Sequence, residues 1–357
     1  MIVENTDFRI DEPDLSSGYD VALIKRFLIP MGLNFQPGEV DYTVILYTLN
    51  DEIIATGSYQ GRTLKYVAVA PNYRETTAFA LVVTHLIEKV MEHNQQVFVF
   101  TRPENIPYFE GLGFSHIATA APLISILEFG YKGLCDYQTY LRTLKCPSQL
   151  GVVSSIVMNG NPFTKGHQYL VEKASAESGL VYLFVVEENR SVFSFDVRWE
   201  LIERGTAHLP NVILVKGGYY IVSSATFPDY FLKSEEPGVI TQKQTELDIR
   251  VFANCIAPVL GIQRRYVGTE EYCATTKLYN ETMKDILPKE GVELVEVPRK
   301  LAEGDGGLIS ATKVREAIKD HKEEHLADYL PASTLDFIKS ARFEPFREKI
   351  LVSEKRH

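Results

Sequence analysis

The sequence predicts an α/β protein of two domains, a mixed α/β layer followed by a parallel sheet flanked by helices. Its 357 residues exceed one ordinary core and suit two domains of roughly 100–200 residues each. The pattern breaks near residues 145–151, where Cys146, Pro147 and Ser148 separate a helical stretch (Tyr137, Tyr140, Leu141, Leu144) from the apolar run 152–158. Beyond that break, strand, helix and strand alternate, which calls for right-handed βαβ crossovers and a parallel sheet. The expected division is a first domain over 1–130, a helical linker over 131–150, a second domain over 151–345 and a tail over 346–357.

In the first domain, β-branched and aromatic runs predict strands at 42–49, 53–59, 64–69, 97–101 and 123–128, with helices at about 20–29 and 77–93. In the second, the buried run 152–158 leads into an amphipathic helix over 166–178, with Leu170, Val171 and Ala174 at core-facing spacing and Gly179 as its stop. A strand at 181–186, a helix near 196–208 and a strand at 212–215 follow, and strands at 265–268 and 292–297 extend the sheet. Ligands of such open sheets sit at the carboxyl ends of the strands, where the loops lie.

Composition narrows the function classes. With 45% hydrophobic and 24% charged residues the chain is of globular type, and it has no run of ~18 apolar residues, so no membrane partner is expected. The N-terminal segment lacks a basic start followed by an apolar run, which makes the cytoplasm the expected location. A net charge of −10 repels a phosphate backbone, so no nucleic-acid partner is expected either. Cys135, Cys146, Cys255 and Cys273 lie far apart without CxxC spacing, which argues against a zinc site and a disulfide framework.

The chemistry concentrates in the loop after the first strand of the second domain, Asn159, Gly160, Asn161, Pro162, Phe163, Thr164, Lys165, Gly166, His167. Gly160 and Pro162 shape a tight turn, and Gly166 lets the backbone pass close to a ligand. The helix that follows aims its unpaired N–H groups and positive dipole end at the loop, where an anion is expected. His167 can donate to a phosphate oxygen and Thr164 can reach the same group, so together they would clamp a nucleotide α-phosphate. A lone histidine at a helix start is often only a cap, and the surrounding loop is what gives this one its weight.

A second cradle follows the glycine-rich run 304–307, which suggests a mobile flap. Ser310, Thr312, Lys313 and Arg315 place two hydroxyls and two cations in six residues at a helix start, a set suited to β- and γ-phosphates. Arg198, in a first helical turn, is a candidate phosphate contact or a solvated surface cation. Glu270, just after Gly268, faces a ribose or metal or is a simple surface carboxylate. The aromatic segment 217–233 is a candidate pocket wall.

The run from Gly160 to His167 together with that from Ile309 to Arg315 resembles the (H/T)xGH and ISxSxxR signatures of the nucleotidyltransferase superfamily. With Met158 to Glu172, Asn211, the segment Ala225 to Lys233 and Tyr266 to Gly268, the chain resembles the citrate lyase ligase family over nearly its whole length. The first half, through Pro71 to Phe79 and Tyr108 to Phe114, resembles a GNAT-type acetyltransferase domain. The resemblance implies a GNAT-like domain followed by a Rossmann-like nucleotidyltransferase domain. It implies an enzyme that consumes ATP with Mg²⁺, activates acetate as acetyl adenylate, and acetylates the thiol of the CoA-like prosthetic group on the acyl carrier subunit of citrate lyase. By the match, Thr164 and His167 face the α-phosphate, and Ser310, Thr312, Lys313 and Arg315 hold the β- and γ-phosphates. Asn159, Gly160, Asn161, Phe163, Gly166, Gly268 and Glu270 complete the ATP site.

Two departures from these patterns bear on function. The first position of (H/T)xGH is Thr164 rather than histidine. In the GNAT-like half, Thr77 and Phe79 stand where a pyrophosphate loop carries glycines, which hinders backbone approach and favours docking or prosthetic-group recognition over acetyl-CoA catalysis. The rival reading is an adenylyltransferase acting on a phosphorylated small molecule such as phosphopantetheine or nicotinamide mononucleotide, which shares the loop and differs in the acceptor.

Overall fold

Residues 8–146, 151–187, 191–221, 231–232, 235–270, 274–302 and 306–352 are described by the computed structural model. They divide into two units, one formed by residues up to 136 with 224–250 and the other by 137–223 with 251–357.

The first unit carries a seven-stranded sheet of order β1-β2-β3-β4-β5-β7-β6, with β1 Phe8–Asp11, β2 Tyr42–Thr48, β3 Ile53–Gln60, β4 Thr63–Val69, β5 Gln96–Thr101, β6 Ser115–Ala120 and β7 Ile124–Gly130. Its neighbours are antiparallel except β4 and β5, which pair in parallel at Thr63 with Phe98 and Leu64 with Val99. Alternation along β2 sends Val44 and Leu46 to one face and Ile45 and Tyr47 to the other. Helix α1 (Gly18–Leu28), capped by Ser17, covers the second face with Ile24 and Leu28. Helix α2 (Ala78–Met91) covers the first with Val82, Val83, Leu86 and Val90. It lies so close to β3 that a Cβ on Gly57 would come within 2.7 Å of both Val82 and Leu86. The short α3 (Ile106–Glu110) completes this part of the chain.

The second unit is a five-stranded parallel sheet of order β10-β9-β8-β11-β12, with β8 Val153–Met158, β9 Leu180–Val185, β10 Val212–Lys216, β11 Arg264–Gly268 and β12 Glu293–Val297. The remaining helices of the chain, in order, are α4 Leu134–Thr143, α5 Lys165–Ala176, α6 Phe195–Thr206, α7 Pro237–Val251, which belongs to the first unit through Arg250, α8 Ala257–Leu260, α9 Ala274–Ile286, α10 Ala311–Lys319, α11 Leu326–Tyr329, α12 Ala332–Ile338 and α13 Glu344–Val352. A π-helical turn, Phe252–Ile256, joins α7 to α8. On one face of the sheet, Ile156, Leu183 and Tyr266 pack with Val171 and Ala174 of α5 and with Leu201 and Ile202 of α6. On the other, Phe184 meets Phe252 edge-on, and Arg265 is buried against the rings of Phe252 and Tyr279 at 4.5 and 5.9 Å. Arg265 Nη2 donates to the Tyr279 hydroxyl at 3.2 Å, while its Nε and Nη1 are without a partner. Strand order reverses between β8 and β11, so the crevice for a ligand opens at their carboxyl ends.

The α/β class and the parallel second sheet are those the sequence predicts. The boundaries differ from the linear division. Helix α4 joins the second unit from Tyr137 on, because Tyr137 donates to the Lys216 carbonyl at 2.8 Å, Gln138 to that of Cys255 at 2.9 Å, and Tyr182 to that of Leu144 at 3.1 Å. Residues 235–250 join the first unit, where Lys243 Nζ donates to the Ala121 carbonyl at 2.5 Å and Arg102 pairs with Glu235 at 3.5 Å. The expected tail is instead largely α13, which buries Ile350.

Candidate active site

The chain leaves β8 at Met158 and turns through the glycine-bearing loop into α5. Gly160 sits at φ 62°, in the left-handed region that favours glycine, and a Cβ there would also meet the terminal methyl of Ile202 at 3.0 Å, which would have to give way. Four bonds hold the loop to the elements around it. The Phe193 N–H donates to Asn161 Oδ1 at 3.1 Å, Thr334 Oγ1 donates to the Phe163 carbonyl at 2.8 Å, and Asn159 and Ser191 exchange side-chain bonds at 2.9 and 3.1 Å. Phe163 is fully buried, and it fits only because residue 205 is glycine: a Cβ there would lie 2.4 Å from the ring. That ring in turn stacks on His167, with centroids 5.9 Å apart and planes 14° from parallel.

Arg198 has a different task from the phosphate contact or solvated cation expected of it. It is 0% exposed, and it lies under the loop. Its Nε donates to the Phe193 carbonyl at 3.1 Å, and its Nη1 to those of Asn159 and Val186 at 2.9 and 2.7 Å. A guanidinium that ties three carbonyls together shapes the loop from below.

Thr164 caps α5 and His167 is the third residue of the helix. The His167 N–H donates to Thr164 Oγ1 at 3.3 Å, and the Thr164 N–H donates back to His167 Nδ1 at 3.1 Å. A backbone N–H can only donate, so Nδ1 must accept, and the ring proton is held on Nε2. Burial, with the nearby positive charge of Arg299, pushes the His167 pKa down to about 4. At neutral pH the ring is therefore an uncharged Nε2–H donor. Thr164, expected to touch the anion, is 1% exposed, and its hydroxyl lies 3.0 Å from His167 Nδ1 while it caps the helix.

The second motif comes back to the first. Leu301 and Leu308 pair as an antiparallel bridge, the Ile309 N–H donates to the Lys300 carbonyl at 3.3 Å, and Ser310 then caps α10 by accepting from the Lys313 N–H at 3.1 Å. Residues 303–305 lie outside the described residues, so of the expected flap only Gly306 and Gly307 are described. Ile309 passes over Gly166, where a Cβ would meet it at 3.4 Å, an ordinary van der Waals contact. Arg315 donates through Nη1 to the Asn161 carbonyl and through Nη2 to Thr312 Oγ1 at 3.3 Å, and burial holds its pKa below the ordinary value. Lys313 is exposed on the first turn of α10.

At the ends of β11 and β12, the Gly268 carbonyl accepts from Asn280 Nδ2 at 3.0 Å. Glu270, expected at a ribose or metal, pairs with Arg299, whose Nε donates to the Thr269 carbonyl at 2.8 Å. Sequence reasoning passed over Arg299 because it belongs to neither motif; its position two residues beyond β12 was the one available signal. Of the segment 217–233, residues 222–230 and 233 lie outside the described residues. Tyr220 is buried 5.3 Å from Tyr137, a packing role, and Tyr219 is exposed.

The citrate lyase ligase C-terminal domain family matches residues 153–338, a span that holds both motifs. The [citrate [pro-3S]-lyase] ligase of Klebsiella pneumoniae is 36% identical over 82% of this chain and 86% of its own length, and that of Escherichia coli K12 is 34% identical over 91% and 92%. The chain belongs to the citrate lyase ligase family. The corresponding ligase of Haemophilus influenzae is 33% identical over 90% of this chain and 96% of its own. Among solved structures, an acetyltransferase of the GNAT family from Staphylococcus aureus is similar over 35% of this chain and 99% of its own, at 14% identity and a TM-score of 0.29. For a member of the citrate lyase ligase family, the donor set at α10 bears on magnesium. Among the described residues no three His, Cys, Asp or Glu side chains converge on one point. The hydroxyls of Ser310 and Thr312 beside two cations fit an ion that arrives on nucleotide phosphates and keeps most of its ligands there. Among those residues, too, no helix is long and apolar enough to cross a membrane.

Proposed function

We propose that this chain is an ATP-dependent ligase that activates acetate as acetyl adenylate and acetylates the prosthetic-group thiol of the citrate lyase acyl carrier subunit, releasing AMP and pyrophosphate. The observation that carries the reading is the convergence of both motifs, through Arg315 with Asn161 and Ile309 with Gly166, around a histidine kept as a neutral Nε2–H donor.

In the first step an acetate oxygen forms a bond to the α-phosphorus while the bond to the bridging oxygen breaks and pyrophosphate leaves. No proton moves, so the site needs donors and charge rather than a general acid. His167 suits that need, since it donates from Nε2 without titrating near neutral pH. Thr164 and Phe163 fix the ring, the N-terminus of α5 adds its dipole, and Lys313 and Arg315 offset charge on the departing phosphates. Magnesium, bound through ATP, supplies further neutralisation of phosphate charge. In the second step the carrier thiolate attacks the acetyl carbonyl, the bond to the AMP oxygen breaks, and a thioester remains. The nucleophile belongs to the carrier, so no cysteine of this chain is required.

The first unit serves docking or recognition of the prosthetic group on this reading. Phe79, at a position where a pyrophosphate loop has glycine, packs its ring edge-on against Phe109 at 5.1 Å, and the Ala78 N–H at the start of α2 is already bonded to Thr76 Oγ1 at 3.2 Å. We assign the reaction to the cytoplasm, where ATP is supplied.

The test is pyrophosphate release from ATP and Mg²⁺ with and without acetate, and with the thiol form of the carrier added. Acetate-dependent release, raised by the carrier and abolished by His167→Ala, is expected. Release that ignores acetate and requires a phosphorylated acceptor would replace this reading with the adenylyltransferase one.

A further inference from the structure

Thr164 stands at the position that carries histidine in the other form of the first signature, and its hydroxyl is given to the helix cap. One cation is thereby missing from the first motif. The segment after β12 brings another to the same place. The Lys300 carbonyl accepts from Ile309, which lies over Gly166, and the Lys300 ammonium sits 6.0 Å above the ring of Tyr169 on α5. Residues 299–300 are thus laid along the first turns of α5.

Arg299 is fixed there at two points. Its Nε donates to the Thr269 carbonyl and its Nη2 pairs with Glu270, a carboxylate only 5% exposed, while its stem passes Gly268 at the end of β11. Two of the three guanidinium nitrogens are used in this way, and Nη1 keeps its donors. The side chain is 29% exposed, so it borders the crevice rather than lying beneath it as Arg198 does. Its positive charge also reaches His167, where it helps keep the ring neutral.

We propose that Arg299 is an anion-binding residue of the nucleotide site, its guanidinium contacting the α-phosphate beside His167, with Glu270 as the positioning residue that aims it. Arg299 takes the place of the cation that Thr164 does not supply, and Glu270 meets the nucleotide through Arg299 rather than through ribose or metal. This rests on the ATP reading of the site given above.

The experiment is calorimetric titration of the full chain with AMP and with adenosine, for the parent protein, Arg299→Gln and Arg299→Met. A lost charge-assisted contact to one phosphate is worth about a ten- to hundred-fold loss in AMP affinity, with adenosine affinity unchanged. Equal losses for both ligands, or for neither, would overturn the proposal. Methionine keeps the aliphatic stem over Gly268 and removes the guanidinium with its charge and its bonds to Thr269 and Glu270, so if glutamine there prevents folding the methionine variant decides by the same ratio. Glu270→Gln is expected to give a smaller loss of the same kind, and an unchanged ratio would remove Glu270 from the assignment. Acetate-dependent pyrophosphate release is followed in parallel: its absence in the parent protein sinks the ligase reading, while the AMP-to-adenosine ratio still judges Arg299.

Discussion

Arg315 donates to the carbonyl of Asn161, joining a helix start to a loop 154 residues earlier in the chain. One guanidinium nitrogen holds that carbonyl while the other meets Thr312, so the residue is fixed by a fork that lysine cannot reproduce. Arg315→Lys is expected to lower kcat/KM for ATP about ten- to hundred-fold, the range for one charge-assisted bond. Steady-state pyrophosphate release checks it; a change under two-fold would mean that charge alone suffices.

The cap between Thr164 and His167 should be separable from the anion contact. Thr164→Ala removes the hydroxyl that caps α5, at a cost of about 1 kcal/mol, and with it one of the two Thr164 contacts to His167 Nδ1, which loosens the imidazole. Thr164→Ser keeps the oxygen and should retain both stability and activity. Urea denaturation with activity on the same samples distinguishes them, and an alanine variant as active as the parent would remove the positioning role.

His167 sets a pH dependence of known sign. Its folded pKa of about 4 lies below the unfolded value of roughly 6.5, so in that interval the unfolded chain binds the extra proton. The stability that His167 contributes is complete above about 6.5 and is lost as pH falls toward 4. Relative to His167→Gln, the melting temperature of the parent should therefore decline across this window. The ring signals in an NMR titration should move only near pH 4, with the proton on Nε2 above it; a midpoint near 6.5 would contradict the geometry.

Gly205→Ala tests the support under the loop. The added methyl would lie 2.4 Å from a ring that is wholly enclosed, so something must shift, at about 1–3 kcal/mol. Because Phe163 also stacks on His167, activity should fall with stability. Denaturation of the variant within 0.5 kcal/mol of the parent, on the order of ordinary surface changes, would show that the ring has room to move.

Arg265 invites replacement in the opposite direction. A buried guanidinium with two nitrogens unpaired carries a desolvation cost that its contacts with Phe252 and Tyr279 offset only in part. Arg265→Met should be neutral to stabilising, by up to about 3 kcal/mol, as read from the urea midpoint. A clear loss would point to a role for the charge.

The alternation of the second half was legible because each strand is a short apolar run closed by a turn and each helix carries an apolar stripe, so β8 to β10 and α5 to α6 lie within a residue or two of expectation. The strands β1 and β6 were not: both lie at sheet edges, β1 is largely exposed and β6 buries only small side chains, Ala118 and Ala120, so neither leaves much apolar alternation to read. At the site, Gly160, Gly166, His167 and Arg315 were legible through spacing and backbone demands that any such loop imposes. Arg198 and Arg299 were not, because an arginine's burial and partners depend on what the fold brings to it. Nothing near Arg198 in sequence announces the three carbonyls it binds, and nothing near Arg299 announces Glu270, 29 residues earlier.

Residues 235–250 pack with the first unit, although β8, β9 and β10 of the second precede them. During synthesis, the first unit therefore cannot complete its contacts until three strands of the other sheet have left the ribosome. The two cores mature together rather than in turn, and a fragment cut at residue 136 or 150 would present bare the surface that α7 covers.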